Sequence, residues 1–103
     1  MRFEWDEEKN RGNVAKHKIS FEIAVSVFDD RHEISIQDRI VEGEERWQTL
    51  GMIAGVVYFV AHTWLYEAGD EVIRIISARR ATPSERRAYA KSQQRPSERN
   101  PRA

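Results

Sequence analysis

A chain of 103 residues with 17 basic and 17 acidic side chains and no cysteine has room for one folded domain. The missing thiols exclude disulfides and cysteine nucleophiles. No charged start runs into the apolar stretch of a signal peptide, and the longest apolar run, residues 56–61, falls far short of the ~20 residues that cross a bilayer. The expectation is a cytoplasmic protein with no membrane partner.

The neutral total hides two unlike halves. Residues 1–73 carry eight basic and fifteen acidic side chains, whereas residues 74–103 carry nine basic and two acidic ones. This asymmetry predicts a basic surface suited to nucleic acid beside an acidic surface suited to something else, with a solvated basic tail as the plainer alternative.

In chain order, Arg2 to Trp5 reads as a short strand. Asp6 then caps a helix whose first turn holds Glu7 and Glu8 and whose end falls near His17. Ser20 caps a second helix with Phe21, Ala24, Val25 and Phe28 on one apolar stripe, which must pack on a sheet. Glu33 to Asp38 alternates as a half-buried strand, Arg39 to Glu45 reads as a polar loop, and Arg46 to Ile53 is the next strand. After a tight turn at Ala54-Gly55, Val56 to Ala61 is apolar on both faces and belongs in the middle of the sheet. Glu67 to Asp70 turns the chain into Val72 to Arg79, completing an antiparallel meander. Thr82, Pro83 and Glu85 form a capping box with proline at the first helical position, starting a helix that runs to about Gln93. The pattern predicts an α+β fold over residues 1–93, with two N-terminal helices packed on a small antiparallel sheet and a C-terminal helix, and a disordered basic tail over 94–103.

Lys16 and His17 place a fixed cation beside a group that titrates near neutrality, a pairing that suits phosphate chemistry. The helix dipole attracts cations to that position whatever the function. Cleaving RNA without a metal requires a proton taken from the 2′-hydroxyl, a proton returned to the 5′-oxygen, and stabilisation of the charge between them. Arg74, Arg79 and Arg80 offer guanidinium forks that match phosphate oxygens. Arg74 either lines a cleft or lies on the open face of the sheet, and simple alternation aims Arg79 at the other face. Glu44, Glu45 and Arg46 could supply a carboxylate that orients an arginine or acts as a base, or could be solvated loop charges. Tyr89 either stacks on a base or, the favoured reading, anchors its helix to the sheet. His32 and His62 are isolated, and three histidines without close ligand spacing give no expectation of a metal site. No phosphate loop, nucleophile elbow or dinucleotide fingerprint is present, so no cofactor is expected.

Several of these segments share one order and spacing: Phe3-Glu4-Trp5-Asp6, Asn13, Lys16-His17-Lys18-Ile19-Ser20-Phe21-Glu22, Glu44-Glu45-Arg46, Ile73-Arg74-Ile75-Ile76-Ser77-Ala78-Arg79-Arg80-Ala81 and Glu85-Arg86-Arg87-Ala88-Tyr89. From about residue 2 to residue 90 the chain resembles the BrnT toxins. The resemblance implies a RelE-like fold, ribonuclease activity that stops translation, and neutralisation by a BrnA-type ribbon-helix-helix antitoxin. It further implies a hetero-oligomer that reaches operator DNA only through the antitoxin. Carried onto this sequence, it implies an active-site set of Lys16, His17, Arg74, Arg79 and Arg80, supported by Glu45 and Arg46. The chain departs from many relatives in two places: Lys18 replaces a glycine, and His62-Thr63-Trp64-Leu65 lacks an arginine that often follows such a pair. The second departure implies an alternative, a weak or inactive homologue that works as an antitoxin- and operator-binding module.

Overall fold

The computed structural model describes residues 1–93. The order of elements is β1 (Arg2–Glu4), α1 (Glu7–His17), α2 (Phe21–Ala24), a 3-10 segment (Val25–Asp29), β2 (Ile34–Val41), β3 (Glu44–Ile53), β4 (Val56–Thr63), β5 (Leu65–Glu67), β6 (Asp70–Arg80) and α3 (Pro83–Gln93).

The strands form one six-stranded sheet in the order β1-β6-β4-β3-β2, with β5 paired to β6. The fold is α+β as the sequence predicts, but the sheet is mixed, because β1 runs parallel to β6 with Phe3 opposite Ile73. The polar segment 39–45 is not a loop. Instead β2 and β3 meet at a two-residue turn, Glu42-Gly43, with φ of 50° and 82°. Left-handed conformations at both turn positions match the twist of the flanking strands, and the pairs Ala54-Gly55 and Ala68-Gly69 repeat the pattern.

The second N-terminal helix also departs from expectation. Ser20 caps it by accepting from the Ile23 N–H, but after one turn the chain tightens into the 3-10 segment. Three residues per turn bring Phe21, Ala24 and Val27 onto one line, and these are the fully buried positions, while Val25 and Phe28 are only partly covered. Together with Ile19 they pack on Val60, Ile73, Ile75 and Ala78 of the sheet. Gly51 permits this approach, since a Cβ there would stand 2.7 Å from the Val27 Cβ and 2.8 Å from its carbonyl oxygen.

α1 has no apolar stripe, and its buried residues are Asn10 and Asn13. The Asn13 amide donates to the carbonyls of Ala78 and Ile19, both at 2.9 Å, and its oxygen accepts from the Ala78 N–H at 3.1 Å. The side chain thus behaves as a strand residue added to the edge of β6 beyond the end of β1. Asn10 accepts from the Phe21 N–H at 2.8 Å and donates to Glu22 at 2.9 Å, fixing the start of α2.

On the other face, α3 begins with the predicted capping box: Thr82 Oγ1 accepts from the Glu85 N–H while the Glu85 carboxylate accepts from the Thr82 N–H. Tyr89 is 5% exposed and packs with Leu50, Val57 and Ala81, which makes it the anchor that its position suggested. Its hydroxyl donates to Asp30. Burial would raise the Asp30 carboxyl, but donation from Tyr89 and from the His32 and Met52 amides outweighs this and holds it below its ordinary range. Burial and that same carboxylate push Tyr89 up to about 12.

His62 is fully buried between Thr49 Oγ1, 2.7 Å from Nε2, and the Thr63 carbonyl, 2.9 Å from Nδ1. The carbonyl assigns the proton to Nδ1 and leaves Nε2 to accept from Thr49. Burial lowers His62 from 6.5 to about 4 despite the Thr63 bond. The unfolded chain therefore binds the proton first, so this contribution to stability is complete above pH 6.5 and is lost as pH falls toward 4. The expected loss is about 3 kcal/mol, because each tenfold drop in proton affinity on folding is worth about 1.4 kcal/mol. Urea unfolding between about pH 7 and pH 4.5 checks this; a flat midpoint across that window would contradict it.

Candidate active site

Strand alternation sends Glu44, Arg46, Gln48 and Leu50 of β3 to the face that α3 half covers. On β6 the pairing with β4 slips, with Ser77 opposite Ala61 but Ile75 opposite His62. The extra residue at Ile76 reverses the alternation, so Arg74 and Arg79 share this open face. The expected opposition of Arg79 to Arg74 is therefore corrected by a bulge.

At one end of the face, Arg74 Nη2 donates to both oxygens of Glu44, at 2.6 and 2.7 Å, while Arg46 Nη2 stands 3.9 Å from the same carboxylate. The three side chains are about one-third exposed. A cleft of about 230 Å³ beside them is lined by Asp6, Lys9, Arg46, Arg74, Ile75 and Ile76. Arg46 Nε and, on the paired residue across β4, Thr63 Oγ1 are buried with no hydrogen-bond partner among the described residues. Most buried polar groups are paired, so two such orphans on register partners are unusual, while the part-exposed Nη groups of Arg46 and Arg74 are the donors that face the cleft.

Arg79 lies at the other end of the face, about 16 Å along the strand from Arg74 at ~3.3 Å per residue. Its guanidinium is over the Phe59 ring at 4.0 Å and forks onto Glu85 at 2.9 and 3.1 Å. The bond to Arg79, its charge, and the Thr82 contacts hold the Glu85 carboxyl below its usual range against burial. Arg80 pairs with Tyr58, points to the face that α2 covers, and is exposed.

α1 runs in the same direction as β6, because Asp6 and Lys9 stand by Arg74 while Asn13 clasps Ala78. His17, one turn past Asn13 on the strand side, therefore comes level with Arg80 and is half-buried. Lys16, two turns past Lys9, lies exposed on the same flank of the helix as Lys9. The structure thus brings Arg46 and Arg74 together around Glu44, and places Lys16, His17, Arg79 and Arg80 at the opposite end of β6. Neither Lys16 nor His17 lines the Arg74 cleft. Glu45 turns to the far face and is exposed. Tyr89 is inside the small core under α3. Lys9 is the addition that geometry makes, its i, i+7 spacing from Lys16 marking one helix flank; of the two candidate carboxylates Glu44 is the one beside the arginines, because β3 starts two residues earlier than expected and puts Glu44 on Arg46's face. Among the described residues no three of His, Cys, Asp or Glu cluster as metal ligands would, and no helix is long and apolar enough to cross a membrane.

By fold and site the chain is a small α+β domain with two arginines around one carboxylate on an open sheet face. The particular family follows from comparison with known proteins: residues 5–85 match the family described as ribonuclease toxin, BrnT, of type II toxin-antitoxin systems. The chain belongs to that family, and membership implies an antitoxin partner. No curated protein matches the chain.

If Glu44 restrains Arg74, releasing it should strengthen anion binding. Glu44→Gln is expected to tighten binding of a short single-stranded RNA about fivefold, and Arg74→Ala to weaken it about tenfold while lowering the salt slope by roughly 0.7, the increment for one phosphate contact. Fluorescence anisotropy at several salt concentrations measures both; unchanged affinity in both variants would remove the cleft from the RNA path.

Proposed function

We propose that this protein is a metal-independent endoribonuclease that cleaves RNA, inhibits translation, and is neutralised by a BrnA-type ribbon-helix-helix antitoxin. On this reading the fold is of RelE-like kind, the setting is the cytoplasm, and operator DNA is reached only through the antitoxin complex. The observation that carries the proposal is the Arg46–Arg74 pair, part-exposed around Glu44 on the open face. Two guanidinium groups there can hold a phosphodiester and stabilise the charge that develops as the 2′-oxygen attacks. Glu44, set between them, is placed to accept the 2′-hydroxyl proton once a phosphate competes for Arg74, and Lys9 flanks the same cleft. Arg79, some five residues along the strand on the same face, meets a neighbouring stretch of the same RNA, while Lys16, His17 and, from the α2 side of β6, Arg80 add positive charge at that end. Lys9, at the cleft, is the cation in reach to return a proton to the leaving 5′-oxygen, and His17, at the far end of the strand, serves substrate alignment.

One observation favours the second reading, a catalytically weak homologue that binds antitoxin and operator: Arg74 is closed on Glu44, and His17 stands apart from both. Purified protein incubated with RNA in EDTA separates the two. Cleavage is expected, with a loss of about 100-fold or more in Arg74→Ala and a smaller loss, about tenfold and mainly in KM, in His17→Ala. No cleavage by the wild type, or full activity with Arg74 and His17 both replaced, would leave only the binding role.

A further inference from the structure

The face of the sheet away from the Arg74 cleft carries a pocket of different chemistry. Alternation brings Glu45 and Trp47 of β3 to this side, and the break in the chain between β4 and β5 turns Trp64 toward them. The two indoles meet edge to face, with centroids 5.1 Å apart and planes at 71°, forming a corner. Tyr66 of β5, 75% exposed, and Glu71, opposite it on β6, complete a cavity of about 320 Å³ whose lining is Glu45, Trp47, Trp64, Tyr66 and Glu71. Behind the same indoles a second hollow of about 240 Å³ adds Glu33 and Ser35. Glu71 accepts from Trp64 Nε1 and so fixes the corner. The side chains of Glu45 and Tyr66 bond to nothing among the described residues, and Trp47 Nε1 is a buried donor without a partner there.

Aromatic walls rimmed by carboxylates repel a phosphodiester and attract an organic cation. Among protein cations the guanidinium fits best, since it is planar, stacks on an indole and forks onto a carboxylate. We propose that this pocket receives an arginine side chain from a protein partner, stacked in the Trp47–Trp64 corner with Tyr66 over it and Glu45 and Glu71 meeting its charge. A main-chain carbonyl beside that arginine is the natural acceptor for Trp47 Nε1. Naming the partner as the antitoxin rests on the family reading; the pocket's chemistry does not. Because the pocket and the Arg74 cleft lie on opposite faces, a bound partner leaves the RNA surface uncovered at this point.

The three indole N–H resonances provide the test, with Trp5, bonded to Glu7 by α1, as the internal control. Titration with N-acetyl-arginine amide at constant ionic strength should move the Trp47 and Trp64 signals saturably and leave Trp5 in place. The neutral isostere N-acetyl-citrulline amide should move none. Tyr66→Ala and Glu45→Gln, both at exposed positions, should each weaken the response about threefold to tenfold. Equal response to citrulline, or equal affinity in both variants, would overturn the pocket. RNA cleavage by Tyr66→Ala should match the wild type. Saturable indole shifts in a protein that cleaves no RNA would uphold the pocket and sink only the ribonuclease reading.

Discussion

The clasp of Asn13 on the edge of β6 is the interaction on which the other placements depend. α1 buries no apolar stripe, so the hydrophobic effect does little to dock it. Its position is instead set by a side-chain amide that pairs with both backbone groups of Ala78 and with the Ile19 carbonyl. Removing that amide would orphan three buried main-chain groups, at roughly 1–3 kcal/mol each. Because the clasp holds α1 parallel to β6, Lys9 stands by Arg74 and His17 by Arg80, and the basic groups spread along the strand rather than crowding one point. The clasp also closes an edge that would otherwise offer unpaired amides to another chain.

The two faces of the sheet divide the labour. One is covered at one end by α3 and left open at the other, where arginines surround a single carboxylate. The opposite face is packed under α2 and the 3-10 segment, and past their reach it exposes tryptophans ringed by glutamates. A formally neutral chain can thus present surfaces of opposite character, and strand alternation sorts them: Glu44 and Arg46 go one way, Glu45 and Trp47 the other.

Features with local causes are legible in the sequence. Asp6, Ser20 and Thr82 each cap the helix expected of them, and Tyr89 anchors α3 because that helix has so little else to bury. The family assignment was equally readable, since the matched segments are contiguous and ordered. Features set by long-range pairing were not readable. The parallel partner of β1, the bulge at Ile76 and the extension of β2 and β3 through residues 39–45 all depend on neighbours distant in sequence, and the bulge alone decides which way Arg79 points. Which of Glu44 and Glu45 stands beside Arg46 and Arg74 was unreadable for the same reason, the two differing by one residue in a period of two. Lys18, a position at which the family resemblance implies glycine, sits at φ 63°, a left-handed helix end that glycine adopts without strain. The expected tail over 94–103 lies outside the described residues.

Native-state hydrogen exchange at the Ala78 amide bears most directly on this architecture. That N–H faces away from β4, toward α1, and Asn13 Oδ1 is its acceptor. With the clasp in place it should open only with the folded core, exchanging as slowly as the amides of the central strands. Exchange at the rate of a frayed strand edge would mean that α1 is not held against β6, and the arrangement of Lys9, Lys16 and His17 along that strand would fall with it.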